Sequence, residues 1–474
     1  MCPFVRKHGA PSEFRDDIQA CADCGGPLVE GAVPAPILAA AVTPAHAAPW
    51  GALVVTLGVL ALPQLASVVP LPGVDEEMVS RIVASPFSRP ADISAFALGI
   101  APILYAFILV EIAALVVPKW RPLRHGGLVG RASLLRATML LTLAIALMQG
   151  FHHATLLDTN ELLRGFGVLP RLLVAATLTA GTFVWVAVAR FADRYALASG
   201  YSLLVGGTVL AELVRAAQRL AEKVEAKEVQ GLPFALLATL GVVVATGWLL
   251  LRRRAPGELR VPACGLGPIT QTGALLALPA VLAPFGLGRM SWVNASDAVY
   301  GGIVVALAVL YAWLMNRPAR LAAFAGEGLD VARPLIRAGL QSVGYVLALT
   351  LLPQLFTSGT AWRMPSTVAL AVAVAVALDI AAHWRARRTL GDLVALWPEH
   401  RVYAVDAALA ALDRAGIAGH ARGIHHRVLM QFFGPWAPVV LYAPKDRAVE
   451  AERVLTRVLA GDRAAPGGPY RASA

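Results

Sequence analysis

The stretch ISAFALGIAPILYAFILVEIAALVV, residues 93–117, decides the fold class of this chain. It contains a single charged residue, Glu111, and it exceeds the roughly 20 mostly apolar residues that a helix needs to cross a bilayer. Comparable runs recur on both sides of it, so the sequence predicts an all-α polytopic membrane unit. The ten predicted transmembrane helices cover residues 50–70, 93–117, 132–152, 168–190, 201–219, 232–252, 268–288, 297–316, 338–356 and 366–384.

The composition of the whole chain agrees with this prediction. Only 15% of its residues are charged and 57% are hydrophobic, whereas soluble proteins carry about 25% charged residues. The net charge of +11 would also suit a nucleic-acid-binding protein, but Lys and Arg accumulate in the cytoplasmic loops of membrane proteins. The even-numbered loops hold more of these residues than the odd-numbered loops, which predicts that both termini are cytoplasmic. Because the membrane topology accounts for the positive charge, nucleic acid is not predicted as a partner.

The N-terminal segment, residues 1–30, has the cysteine spacing of a zinc ribbon. Cys21 and Cys24 are separated by two residues, so their thiolates could share one tetrahedral ion, and Cys2 offers a third ligand. A ribbon normally has two cysteine pairs, so a metal-free knuckle is the alternative to bound zinc. Zinc is the single cofactor that the sequence suggests. An Ala/Pro linker, residues 31–49, connects this segment to the first predicted span.

After Arg388 the pattern changes to that of a small α/β domain, predicted at residues 395–462. HRVYAV (400–405) alternates like a strand, Asp406 suits the N-cap of a following helix, and APVVLYAP (437–444) predicts a later strand. The predicted order is β-α-β-β-α, which we interpret as a ferredoxin-like fold. A disordered tail is predicted for residues 463–474.

Several short motifs in the membrane unit resemble those of the SecY-type protein translocase channel, and they occur in the family's order. FALGIAP (96–102) resembles the signature of the second span, and VPLPGVD (69–75) resembles the end of the first. Arg337 begins the motif RAGLQSVGY, which resembles the entry to the ninth span, and Asp379 matches the acid that ends the tenth. The resemblance covers residues 50–388 and divides them into two five-helix halves.

The resemblance implies a pore between the two halves, which a ring of apolar side chains closes around the translocating polypeptide. A narrow apolar constriction resists water and ions because wetting it is costly. Ordinary helix packing is the alternative role for each candidate, and Thr270 departs from the apolar pattern. By motif position, the candidates for the ring are Ile100, Leu104, Val205, Val209, Thr270 and Val372.

The resemblance also implies partners. These are SecE-like and SecG-like small subunits, an unfolded or signal-bearing polypeptide, and a SecA motor or a ribosome. Arg337 matches the arginine of a cytoplasmic docking loop in the family, although a positive anchor at the membrane surface would carry the same charge. Two segments are shorter than in the family: residues 76–92, where the family has a plug helix, and residues 252–264, the other docking loop.

The C-terminal region resembles a small bacterial α/β domain to which signal transduction is ascribed. A zinc knuckle often precedes that domain in its own family. Since both termini are predicted to be cytoplasmic, this resemblance predicts that the two ends of the chain pack together under the membrane unit.

The function that the resemblance implies is that of a protein-conducting channel subunit in the bacterial inner membrane. The sequence has no Ser/His/Asp, Cys/His, metalloprotease or Walker-type motif, so no enzyme is predicted. A second interpretation is a non-conducting SecY-fold scaffold or sensor that displays the zinc-ribbon and α/β modules. A small-molecule transporter would need buried charges around broken spans near the bilayer midplane, and the sequence has no convincing set of them.

Overall fold

A computed structural model of the chain describes most of its membrane helices and its C-terminal domain. The described residues are 49–66, 68–75, 93–120, 127–165, 167–226, 232–251, 265–270, 272, 302–303, 305–307, 309–310, 332–357, 366–430 and 437–459. The predicted zinc ribbon, the linker apart from Pro49, the shortened segments 76–92 and 252–264, and the predicted tail all lie outside them.

Long helices make up the membrane unit. Within the described residues they are α1 (Pro49–Ala66), α2 (Ala101–Val116), α3 (Gly127–Thr159), α4 (Val168–Tyr195), α5 (Gly200–Glu225), α6 (Leu232–Leu251), α7 (Ala332–Thr357) and α8 (Thr367–Thr389). Each of them coincides with one predicted span. The two remaining predicted spans, 268–288 and 297–316, lie largely outside the described residues.

The described helices differ in how well they are suited to crossing a bilayer. Five segments are long and apolar enough by length and composition, and they lie in α3, α4, α6, α7 and α8. Helices α1 and α2 are apolar but shorter. Helix α5 is buried at residues 200–207 and at Val209, and it becomes largely exposed towards Glu225. Helix α5 therefore continues beyond the predicted fifth span, which ends at residue 219, as a largely exposed extension.

Gly207 lies in the buried part of α5, at the point where α5 crosses α1. A Cβ atom at Gly207 would lie 2.5 Å from the carbonyl oxygen of Leu60, so no larger residue fits there. The side-chain amide of Gln64 also donates to the carbonyl oxygen of Gly207, at 3.2 Å. Small residues that let backbones approach are typical of helix contacts in membranes. The glycine therefore sets how closely the first and fifth helices pack.

The membrane helices pack as a bundle whose outer surface is apolar. Helix α3 packs against α2 and α4, α5 packs against α1 and α8, and α6 packs against α7 and α8. Large apolar side chains point outward on several helices, among them Leu140, Leu169, Trp248 and Leu340. Lipid is the solvent in which such a surface is stable, because lipid chains are as apolar as the side chains themselves.

The C-terminal domain follows α8 directly and contains a small antiparallel sheet. Its elements are β1 (Leu393–Glu399), α9 (Val402–Arg414), β2 (His420–Arg422), α10 (Ile424–Leu429), β3 (Val439–Pro444), a short 3-10 turn (Lys445–Arg447) and α11 (Ala448–Leu459). Within the described residues the sheet has three strands in the order β1-β3-β2, and β3 is antiparallel to both neighbours.

The strand predicted at 400–405 is wrong, because α9 begins at Val402 and the strand is the preceding segment, Leu393–Glu399. Almost every residue of β1 is buried, so it lacks the alternation that identifies a half-exposed strand. Val402 and Val405 lie three residues apart, on the buried side of a helix. Asp406 accordingly lies inside α9 and is not its N-cap. The strand predicted at 437–444 is confirmed as β3.

Candidate functional site

The six predicted ring positions lie on four segments of the membrane unit. Ile100 precedes the first turn of α2 and Leu104 lies one turn later, Val205 and Val209 are one turn apart on α5, and Val372 is on α8. Thr270 ends the described turn at 265–270.

The five apolar candidates belong to the same large hydrophobic cluster, which extends through much of the membrane unit. Ile100, Val205, Val209 and Val372 are buried members of it, and Leu104 packs against it. Val372 is completely buried. Of the helices that carry them, α5 packs against α8. Both an apolar constriction and ordinary helix packing would give this arrangement. Their role as a ring stays a prediction.

Thr270 does not present an unsatisfied hydroxyl to this region. Its hydroxyl group donates to the carbonyl oxygens of Leu266 and Gly267, both at 3.0 Å, within its own helical turn. A threonine whose hydroxyl is bonded to its own helix exposes mainly its methyl group. Thr270 is therefore closer to the apolar character of the other ring candidates than its residue type suggests.

Arg337 lies in the first part of α7, beside a groove between α6 and α7. The groove has a volume of about 590 Å³ and is lined by Arg333 and Arg337 at one end and by Trp248 and Tyr345 among mostly apolar side chains. The hydroxyl of Tyr345 lies 3.0 Å from that of Thr246, which joins the two helices beneath the groove. The docking role of Arg337 stays a prediction.

The structure also shows a site that the sequence did not predict, where the C-terminal domain meets the membrane unit. Its centre is Asp379 on α8. The two carboxylate oxygens of Asp379 accept hydrogen bonds from the backbone N–H groups of His425 and His426, at 3.0 and 2.9 Å. The Nδ1 atom of His425 lies 2.8 Å from the same carboxylate. We call residues 420–430, which carry these partners, the docking segment.

Arg422 ties the docking segment to a different part of the membrane unit. Its guanidinium group donates to the carbonyl oxygens of Ala196, at 3.2 Å, and Asp193, at 2.7 Å, where α4 ends. The guanidinium carbon also lies 5.4 Å from the ring centre of Tyr442. Arg422 is buried, and a buried cation of this kind is stable only when its donors are satisfied.

The far end of the docking segment contacts the start of the seventh predicted span. The backbone N–H of Leu266 donates to the carbonyl oxygen of Leu429, at 2.7 Å. Gly265 has a positive φ of 50°, and a Cβ atom there would lie 2.7 Å from the Cα atom of Leu429. Val428, Leu429 and Met430 are buried in the same hydrophobic cluster as the ring candidates.

Histidines surround this contact. The ring of His420 stacks on that of His383 of α8, with 5.1 Å between centroids. Burial lowers the pKa of His420 to about 4, against the opposing charge of Asp379. Burial likewise lowers the pKa of His426 to about 4, again against Asp379. Both side chains are therefore neutral at physiological pH.

The described residues contain no group of three or more His, Cys, Asp or Glu side chains that is placed to hold a metal ion. The predicted zinc ligands Cys2, Cys21 and Cys24 lie outside the described residues. Zinc at these cysteines stays a prediction.

The sequence offers one signal of the contact between the C-terminal domain and the membrane unit, which is an acid inside a predicted span. Polar residues at such positions usually have a specific partner, and Asp379 stands out in the sequence only by its match to a family acid. The partners could not be predicted, because Asp379 is bound by backbone groups of a segment that lies 46 and 47 residues later in the chain.

Comparisons with known proteins give one consistent family. A family model described as SecY matches residues 94–324. The protein translocase subunit SecY of Micrococcus luteus is 32% identical over 177 residues, which cover 33% of this chain and 41% of that protein. The subunit of Streptomyces scabiei is 23% identical over 336 residues, covering 57% of this chain and 75% of that protein.

A solved structure is also similar. It is Sec61 in the canine ribosome-channel complex from the endoplasmic reticulum, with 14% sequence identity and a TM-score of 0.45, over 71% of this chain and 91% of that chain.

The matches differ in how much of each relative they include. The match spans 41% of the Micrococcus luteus protein and 75% of the Streptomyces scabiei protein. The resemblance to SecY that the motifs predict is confirmed by these relatives. The matched region of the family model ends at residue 324, so α7, α8 and the C-terminal domain lie beyond it.

Proposed function

We propose that this chain, which is similar to SecY through much of its membrane unit, is the channel subunit of an apparatus that moves unfolded polypeptide across or into the bacterial inner membrane. The observation that carries the proposal is the match of residues 94–324 to the SecY family model. The apolar cluster to which five of the ring candidates belong supports it. In this proposal the ring candidates form the closed constriction, and a polypeptide passes between α5 and α8, which now pack together.

The proposed architecture has ten spans in two five-helix halves, with both termini in the cytoplasm. Helices α1 to α5 coincide with the first five predicted spans, and α6, α7 and α8 coincide with the sixth, ninth and tenth. The seventh and eighth spans complete the second half. The C-terminal domain is then a cytoplasmic, ferredoxin-like module, and the cysteines of the N-terminal segment hold zinc beside it.

The proposed partners are those of a protein-conducting channel. A SecE-like helix and a SecG-like subunit accompany the two halves in the membrane, and an unfolded or signal-bearing polypeptide is the substrate. Arg337 contributes to the surface on which a SecA motor or a ribosome docks. The groove beside it supports this part of the proposal, because two arginines lie together at one end of it.

A cross-linking experiment tests the proposed pore. A photo-reactive amino acid is placed at Val205 or Val372, and a signal-bearing polypeptide with a folded C-terminal block is expressed in the same cells so that it stalls during transport. We expect both positions to cross-link to the stalled polypeptide. Leu178 on α4 is the matched control, because it is also completely buried but belongs to a separate cluster.

The proposal fails if neither ring position gives a cross-link above that of Leu178. Rescue of cells depleted of their own SecY is a second measurement. Growth on expression of this chain would support the proposed activity directly.

A further inference from the structure

We propose that the docking segment, residues 420–430, is a built-in latch that holds the two predicted halves of the membrane unit together and must detach before the channel opens. This inference rests on the proposed function, because it assigns the C-terminal domain a role in gating that channel. It is argued from the contacts of the docking segment, which lies outside the region that the SecY family model matches.

The first step is that the docking segment bridges the two predicted halves. Arg422 binds the carbonyl oxygens of Asp193 and Ala196, at the connection between α4 and α5 in the first half. His425 and His426 bind Asp379 on α8, in the second half. A segment bound to both sides keeps them at a fixed separation.

The second step is that this bridge crosses the same seam as the ring candidates. Helices α5 and α8 pack against each other, and they carry Val205 and Val372. Asp379 lies two turns after Val372, or about 10 Å along the helix at about 1.5 Å per residue. Widening the apolar cluster for a polypeptide would separate α5 from α8, and the latch resists that movement.

The third step is that the contact is buried and well satisfied. Arg422, Asp379 and Val428 are all buried, and the carboxylate of Asp379 accepts from two backbone N–H groups. Hydrogen bonds to a charged group are about twice as strong as neutral ones. Val428, Leu429 and Met430 extend the apolar cluster of the membrane unit into the domain. Release of the segment therefore exposes apolar surface as well as breaking charged contacts.

The test uses ion conductance of the full chain in lipid vesicles as the measure of opening. Asp379→Asn keeps the size of the side chain but replaces one accepting oxygen with an amide group, which cannot accept from a backbone N–H. We expect conductance to rise at least about tenfold, since hydrogen bonds to charged groups contribute more than neutral ones. Asp158→Asn is the matched control, because Asp158 pairs with Arg171 at the other end of α4.

A disulfide in the same chain gives the reverse test. A Cβ atom at Gly423 would lie 4.0 Å from the Cβ atom of Ser199, which is within the spacing of a disulfide. Ser199 lies in the first half, beside the carbonyl groups that Arg422 binds, so the disulfide can replace only that anchor. Ser199→Cys and Gly423→Cys are therefore combined with Arg422→Gln, which removes the anchor, in a chain whose four native cysteines are replaced by serine. We expect oxidation to return conductance to the level of the parent chain, and reduction to raise it again. Because Gly423 has a positive φ of 82°, the reduced form of the same chain is the control for strain at that position.

The latch is overturned if Asp379→Asn conducts like the parent chain, if the disulfide does not form, or if oxidation leaves the raised conductance unchanged. The cross-linking of Val205 to a stalled polypeptide separates failure of the latch from failure of the proposed function, because it tests the pore alone. A chain that cross-links but shows no effect of these changes is a channel without this latch.

Discussion

The C-terminal domain has an interior and a docking face that are built from different chemistry. Its interior is apolar, and Val405, Leu412, Leu441 and Leu455 are completely buried there. Its docking face on the membrane unit adds charged and imidazole groups to a buried apolar patch at residues 428–430. The difference indicates that the interior stabilises the fold of the domain. The docking face fixes the orientation of the domain on the membrane unit, and a change in the charge of its groups would weaken that contact.

Breaking the buried ion pair at the edge of the interior has the largest expected effect. Arg401 donates to both carboxylate oxygens of Glu399, at 2.9 and 2.8 Å, and to the carbonyl oxygen of Leu459, at 3.2 Å. Burial opposes the ionisation of Glu399, but Arg401 outweighs it and lowers the pKa of Glu399 to about 2. Arg401→Met leaves that carboxylate buried without its partner, which costs about 3–5 kcal/mol.

We expect hydrogen exchange of residues 393–459 to rise towards that of an unfolded segment in Arg401→Met. Glu399→Leu combined with Arg401→Met is the control, because replacement of a whole buried pair by apolar residues is often neutral. Equal loss of protection in the single and double variants would contradict the assignment of the effect to an unpaired charge.

Acid has the next largest expected effect, and it acts on the docking face. The folded-state pKa values of His420 and His426 are about 4, below the ordinary 6.5, so between these values the unfolded chain binds more protons. Stability is therefore lost as pH falls from 6.5 towards 4. At about pH 5 the loss is about 2 kcal/mol for each histidine. The pKa of Glu399 is lowered from 4.5 to about 2, so its contribution is lost mainly below about pH 4.5 and is nearly intact at about pH 5.

Protection factors for residues 420–430, measured at about pH 7 and about pH 5, check this prediction. The double variant His420→Gln, His426→Gln should have lower protection at neutral pH but a smaller loss on acidification. The same pH dependence in the variant and the parent chain would show that other groups are responsible.

The sequence predicted the membrane helices better than it predicted the junction, for a physical reason. A helix in lipid must be long and apolar, so α3, α4, α6 and α8 are visible as runs in the chain. The contact of Arg422 with Ala196 joins residues 226 positions apart and uses a backbone carbonyl, which leaves no pattern in the side chains. Strand β1 escaped prediction because almost all of it is buried, which removes the alternation of apolar and polar residues.

The ring candidates show that a sequence can locate residues without predicting their contacts. Family motifs located Val205 and Val372, and the structure packs them together in one cluster. Their common cluster depends on the helix pairing of α5 with α8, which a single sequence does not contain. The close approach of Gly265 to Leu429 likewise depends on the docking segment, which is distant in the chain.

The smallest expected effect belongs to one side chain of the docking face. His425→Ala removes the contact between Nδ1 and Asp379 but leaves the two backbone N–H groups on the carboxylate. Loss of one hydrogen bond to a charged group costs about 1.5 kcal/mol, so we expect exchange of the docking segment to rise about tenfold. The exchange of β1 and β3 should not change. An equal rise in the exchange of β3 would show that the docking segment and the interior of the domain unfold together, which would contradict the distinction between them.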